Sequence, residues 1–192
     1  MPHYRRLVGE KCYLSPLTME DSEQWAAWDN DLEVTLPLGD EVFIPISLEK
    51  ERDAVAGAIR AQGHVFSIVS LEEDALIGRC MLFELSSVDR TALLGIVIGE
   101  KSCWNQGYGT DALRLLLDFG FNLLNLNNIM LTTFAFNARA QRCYEKLGFK
   151  VIGRRRQGRI IAGKTYDVVM MDMLAEDFKG GEVRRVMDAQ GG

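Results

Sequence analysis

Residues 104–112 read Trp104-Asn105-Gln106-Gly107-Tyr108-Gly109-Thr110-Asp111-Ala112, and they join an apolar strand-like run at 93–98 to a long apolar helix-like run at 112–124. Two glycines at the mouth of a helix let the backbone come close to a ligand. The N–H groups of the first helical turn have no carbonyl within the helix and face outward, with the helix dipole behind them. Such a turn suits an anion, so the stretch points to a phosphorylated ligand held by an α/β unit.

Three phosphate-binding arrangements compete for it. A P-loop needs a Lys followed by Ser or Thr after its second glycine, and Tyr108-Gly109-Thr110-Asp111 supplies no Lys. Gly107, Gly109 and Ala112 satisfy the dinucleotide fingerprint G-x-G-x-x-A. In that fold, though, the glycines follow the strand almost directly, and an acidic residue comes about 20 residues later. Here residues 99–106 intervene, and the next strand-like run, 129–136, ends in Asn137 with no carboxylate. A glycine pair alone does not separate a plain helix-entry turn from an anion site, so the downstream sequence decides.

That sequence is Asn137-Ala138-Arg139-Ala140-Gln141-Arg142-Cys143-Tyr144-Glu145-Lys146-Leu147-Gly148-Phe149. Asn137 suits a helix N-cap, and Gly148 suits the left-handed residue just past a helix end. The glycine loop, the Asn137 start and the Tyr144-to-Phe149 ending, spaced about 30 residues apart, together resemble the GNAT superfamily of acyl-CoA-dependent N-acyltransferases. The resemblance runs roughly from Lys11 to Phe178. Leu94-Gly95-Ile96-Val97-Ile98-Gly99 and Gly163-Lys164-Thr165-Tyr166-Asp167-Val168 are most similar to the branch that holds ribosomal-protein and spermidine N-acetyltransferases.

The resemblance implies acetyl-CoA as cosubstrate and acetyl transfer to a primary amine. It implies that backbone N–H groups from Gln106 through Gly107, Tyr108 and Gly109 to Thr110 hold the pyrophosphate, that Trp104 and Asn105 complete the cofactor loop, and that Asn137 either caps its helix alone or caps it and touches the cofactor. The strand Ile96-Val97-Ile98 would pair its edge with the pantetheine amides, and one amide near Ile98 would polarise the thioester carbonyl. Tyr144 would be the general acid: a phenol with a pKa near 10 can protonate a departing alkyl thiolate of similar basicity. Trp104 departs from the family's usual Gln or Arg at the first loop position. Leu93 stands where many relatives carry a Glu, so the general base falls to Glu84, to Glu33 or to a chain of water. The same loss keeps a non-catalytic acyl-CoA-binding module in play.

The rest of the chain supports an enzyme of this size. Its 192 residues suffice for one domain with a full core, expected over 11–178, followed by a flexible tail at 179–192. With 47% hydrophobic and 26% charged residues it has an ordinary globular composition. No apolar run reaches the ~18 residues of a membrane span, and Met1-Pro2-His3-Tyr4-Arg5-Arg6-Leu7 has no apolar stretch behind it that would make a secretory signal. Cys12, Cys80, Cys103 and Cys143 are isolated, as expected of thiols in a reducing cytoplasm. Two histidines leave little material for a metal centre. The net charge of −5 argues against nucleic acid as a partner. Between Glu20 and Glu41 lie eight carboxylates (Glu20, Asp21, Glu23, Asp29, Asp31, Glu33, Asp40, Glu41) and no Lys or Arg, which reads either as a solvated face or as a negative rim for a cationic amine. The resemblance leaves a homo-oligomer open.

Periodicity places a first strand at 12–16 and a helix capped by Thr18 or Ser15 running to about Asn30. A loop follows at 37–45, then a helix from Ser47 to about Gln62. Strand-like runs at 64–70, 75–85 and 91–100 form an antiparallel meander. A helix at 109–124, a strand at 127–135, a helix at 137–147 and a strand at 149–156 follow, and a last run at 165–174 returns through Gly163. The expected fold is α/β of mixed α+β type, GNAT-like: a strongly twisted mixed sheet of about seven strands with helices on both faces.

Overall fold

A computed structural model describes residues 3–190. Met1 and Pro2 of the N-terminal reading, and the last two residues of the expected tail, lie outside them. The chain divides into two compact units. The first holds the chain up to Phe83 together with Gly95–Leu116, and the second holds Glu84–Leu94 with the chain from Leu117 onward.

In the first unit β1 (Leu7–Val8) and β2 (Cys12–Pro16) form an antiparallel hairpin, and β2 pairs with β3 (His64–Ser70) from Cys12↔Ser70 to Pro16↔Phe66. β3 also pairs with β4 (Leu76–Ser86). Phe66 to Ser70 are all buried, the mark of a strand covered on both faces. Helix α1 (Asp21–Asp29) buries Trp25 and Trp28, one turn apart, against Val34 of the short α2 (Leu32–Thr35) and Val55 of α3 (Leu48–Arg60). Ser47 caps α3 as expected, its hydroxyl accepting the Lys50 N–H at 3.2 Å. Thr18 does not cap α1. Instead the Asp21 carboxylate accepts Thr18 N–H (2.9 Å), Thr18 Oγ1 (3.1 Å) and Ser67 Oγ (2.6 Å), and so ties the helix start to β3. A 3-10 turn at Asp40–Phe43 interrupts the expected loop.

Strand β5 (Thr91–Ile98) begins in the second unit, in a parallel ladder with β6 (Asn128–Phe134) from Thr91↔Asn128 to Leu93↔Met130. β6 pairs antiparallel with β8 (Lys164–Leu174), and β8 with β7 (Lys150–Ile161). Ile129, Leu131 and Thr133 lie opposite Met173, Met171 and Val169, and all six are buried, so one face of this ladder is core by period-two alternation. The β7–β8 hairpin turns at Ala162 and Gly163, both left-handed (φ 50° and 73°), which suits a two-residue turn of type I′. β7 carries Arg154, Arg155 and Arg156 in succession and bulges between Arg155 and Arg159, where Gln157 is left-handed.

The strand order is β1-β2-β3-β4-β5-β6-β8-β7, a mostly antiparallel eight-stranded sheet flanked by helices. The eighth strand is β1, whose two residues are too short to leave a periodic signal. Helix α4 (Tyr108–Asp118) ends sooner than expected and passes into a π-helical turn, Phe119–Leu123, closed by the Leu124 N–H on Phe119 O at 3.1 Å. Part of the segment read as a flexible tail is a helix, α6 (Glu182–Gln190). Its Val183 N–H donates to the buried Asp118 carboxylate at 2.8 Å, and Phe178 packs on Phe121. No helix among the described residues is long and apolar enough to cross a membrane.

Gly99, which follows β5, lies against the face of the Trp28 indole, and any Cβ there would overlap the ring. We therefore expect Gly99→Ala to cost about 1–3 kcal/mol, since a buried indole must move to admit the methyl. Gly57→Ala in α3 adds a methyl with nothing within 4 Å and should stabilise by about 0.5–1 kcal/mol through helix propensity alone. Urea midpoints of the two variants check both signs.

Candidate active site

The loop after β5 is held at almost every residue. The Gly99 and Glu100 N–H groups both donate to Ile77 O, at 3.0 and 3.1 Å. The Glu100 carboxylate accepts from Ser102 N (3.1 Å) and Ser102 Oγ (2.8 Å), which caps the 3-10 turn Lys101–Cys103. The Trp104 indole N–H donates to Ile98 O at 2.7 Å while its ring packs beside Trp25, Trp28, Val34 and Val55. Gln106 donates its side-chain amide to Ser102 O. Asn105 (φ 61°) and Gly107 (φ 91°) are left-handed, and α4 makes its first helical bond from Asp111 N–H to Gly107 O at 3.0 Å.

These residues fit a pyrophosphate. A Cβ on Gly107 would meet only the Lys11 stem, at 3.5–3.6 Å, and one on Gly109 would meet only Ile98 Cγ1, at 3.7 Å, so both glycines leave backbone open to a ligand. The N–H groups of the first turn precede Asp111, the first helical donor, the usual condition of a helix start. Ile96, Val97 and Ile98 are half-buried, with Val97 packed on the tryptophan cluster.

Asp111, in the first turn of α4, was not singled out by sequence. Its buried carboxylate accepts Lys11 N–H at 2.8 Å, Cys12 N–H at 3.1 Å and Arg114 Nη2 at 2.7 Å. Gly9 comes so close that a Cβ there would overlap the carboxylate. Burial works to raise this carboxyl, but the N–H groups of Lys11, Glu10 and Cys12 and the Arg114 guanidinium outweigh it and hold the group below its ordinary value. The nest of successive N–H groups in the β1–β2 turn thus anchors the helix whose start carries the glycine loop.

The second unit holds Glu84, Asn137 and Tyr144. The Asn137 side chain accepts the Ala140 N–H at 3.2 Å and caps α5 (Ala138–Leu147). At the other end Gly148 is left-handed (φ 106°). Its N–H donates to Glu145 O and the Phe149 N–H donates to Tyr144 O, both at 3.0 Å, which is a Schellman ending. The hydrophobic contact of that motif is the Tyr144 ring against Phe149, centroids 5.9 Å apart. Tyr144 is therefore fixed by its carbonyl and by its ring. Burial, and secondarily Cys143, push its phenol above the ordinary value, so it keeps its proton at neutral pH. Glu84 is exposed in a left-handed conformation (φ 50°), and Leu93 pairs with Met130.

Much of the acidic segment is paired with cations far off in sequence. Asp29 is buried against Arg79 (2.8 Å), with Glu51 at 3.7 Å and the guanidinium over the Trp25 ring. Burial raises the Glu51 carboxyl, Arg79 offsetting part of the effect. Asp31 and Glu33 share Lys101, at 2.8 and 2.5 Å, and Glu23 meets Arg52 at 3.1 Å. His3 and Asp21 lie 2.8 Å apart. The cysteines are free thiols, Cys12 and Cys80 buried. Among the described residues no three His, Cys, Asp or Glu side chains gather to hold a metal.

Asp111→Asn should cost about 1.5–3 kcal/mol near pH 7, because an amide cannot accept from a nest and a guanidinium at once. A carboxyl held below its ordinary value stabilises the fold above the unfolded pKa, and that stability is lost as pH falls through the folded pKa. The gap between wild type and variant should therefore narrow on acidification below the ordinary carboxylate range. Urea midpoints at neutral and acid pH measure it.

The fold agrees with comparison to known proteins. The uncharacterized N-acetyltransferase p20 of Bacillus licheniformis is 26% identical over 176 residues, covering 91% of this chain and 98% of its own length. A GNAT-family acetyltransferase from Bacillus anthracis superposes with a TM-score of 0.77 at 20% identity, over 88% of this chain and 98% of that one. The spermidine N-acetyltransferase of Vibrio cholerae, solved with CoA and spermine, gives 0.77 at 24% identity over 86% and 96%. The acetyltransferase (GNAT) domain family matches residues 11–150, and the chain belongs to that family as an acetyl-CoA-dependent N-acetyltransferase.

Proposed function

We propose that the chain moves the acetyl group of acetyl-CoA directly to a primary amine, with Tyr144 as general acid. The observation that carries this reading is the loop at 104–110, braced by Trp104 and Gln106 and left open at Gly107. The neutral amine attacks the thioester carbonyl carbon, the C–N bond forms as the C–S bond breaks, and the Tyr144 proton goes to the departing thiolate. The amine's own proton leaves to a base, which we assign to water or to an exposed carboxylate such as Glu84 or Glu33. The Gly99 N–H is committed to Ile77 O, so an earlier β5 amide near Ile98 is our choice of oxyanion donor. Free thiols at all four cysteines fit a cytoplasmic enzyme. Thiol release from acetyl-CoA, measured over polyamines, aminoglycosides and N-terminal peptides, tests the reading and names the acceptor class.

Tyr144→Phe should leave acetyl-CoA affinity within several-fold and lower kcat by about 10²–10⁴, the range of a positioned general acid. Burial holds the phenol protonated, so the wild-type kcat should show no alkaline fall from this group below about pH 10. A Phe variant with wild-type turnover would reduce Tyr144 to packing.

We take the acceptor to be a cationic amine, a polyamine or a basic peptide terminus. The net charge of −5 and the two carboxylates, Asp31 and Glu33, that share the single cation Lys101 support this, as does the spermine held by the Vibrio cholerae protein. kcat/KM for the best amine should then fall as ionic strength rises. Asp31→Asn combined with Glu33→Gln should raise KM for the amine and leave KM for acetyl-CoA unchanged. A best substrate that is neutral, or efficiency independent of salt, would remove the charge argument.

A further inference from the structure

Lys11 stands out among the cations around the glycine loop. Lys101 is occupied by Asp31 and Glu33, and Arg114 by Glu10 and Asp111. Lys11 has no carboxylate partner among the described residues. Its ammonium rests over the Tyr108 ring, 5.6 Å from the centroid, and its stem runs past Gly107, with Cε and Cδ at 3.5 and 3.6 Å from where a Cβ would stand. The stem starts from a fixed point, since the Lys11 N–H is held by the Asp111 carboxylate at 2.8 Å.

We propose that Lys11 is a specificity-determining residue for the cosubstrate: its ammonium pairs with the pyrophosphate of acetyl-CoA at the start of α4. This deepens the acetyl-CoA reading of the loop and rests on it. A helix start offers an anion only about half a unit of positive charge, and a pyrophosphate brings two full negative charges. A compact ammonium laid beside the same backbone makes up part of the difference. The absent side chain at Gly107 then has two effects, leaving room for the phosphate oxygens and for the lysine stem that reaches them. Asp111 serves both partners, because it fixes the helix start through its own position in α4 and the lysine through its backbone. If Lys11 served packing alone, it would contribute only the cation–π contact with Tyr108, and its loss would be felt equally by donors with and without phosphate.

The test uses calorimetric titration of CoA and of 3′-dephospho-CoA into wild type, Lys11→Gln and Lys11→Arg, together with kcat/KM for S-acetylpantetheine, which lacks phosphate. Lys11→Gln should weaken CoA and 3′-dephospho-CoA alike, about tenfold at low salt, and Lys11→Arg should recover most of the loss. S-acetylpantetheine should be used equally by all three proteins. Unchanged CoA affinity in the Gln variant, or an equal loss with S-acetylpantetheine, overturns the assignment. So does a loss confined to CoA with its 3′-phosphate, which would put the lysine on that group instead. A folded wild type that takes up no CoA overturns the loop reading and this assignment with it.

Discussion

The first unit depends on one carboxylate that is not itself a reacting group. Asp111 takes the N–H groups of the β1–β2 turn and the Arg114 guanidinium, and in doing so fixes where α4 begins. A helix start binds an anion well only if its N–H groups do not have to be reoriented when the anion arrives. The loop on the other side of that start is braced in the same spirit, by Trp104 on Ile98 O and by Gly99 and Glu100 on Ile77 O. Backbone donors are thus positioned by side chains and neighbouring strands.

In the second unit Tyr144 is positioned by economical means. A Schellman ending requires a left-handed residue, met by Gly148, and a hydrophobic contact across the helix end, met by Tyr144 and Phe149. The motif that stops the helix therefore also sets the orientation of the phenol. This gives a physical reason for the pattern Tyr-x-x-x-Gly-Phe, independent of any family.

Local chemistry was legible in the sequence and distant chemistry was not. Asn137, Ser47, Gly148 and the Ala162-Gly163 turn act within a few residues of themselves, so cap and turn rules find them. The glycine loop was legible for the same reason, and with Tyr144 it gave the family. The pairing of the acidic segment was not legible, because Asp31 and Glu33 meet Lys101, and Asp29 meets Arg79, across 50 residues or more of chain. Asp111 was not legible as an anchor because Gly9, Lys11 and Cys12, which fold around it, lie about 100 residues away in the chain. α6 was missed because part of what seats it is a backbone N–H on the Asp118 carboxylate, which no side-chain pattern announces.

The last strand of the sheet order, β7, has a further consequence for the protein's behaviour at high concentration. A long outer strand with exposed Val151, Ile152 and Ile160 offers unpaired backbone groups and apolar surface to any other extended chain. Two identical strands laid side by side would bring Arg154, Arg155 and Arg156 of each against their counterparts, and the bulge at Gln157 breaks the straight run of donors and acceptors that such stacking needs. The arginine run and the bulge therefore guard the sheet against edge-to-edge aggregation.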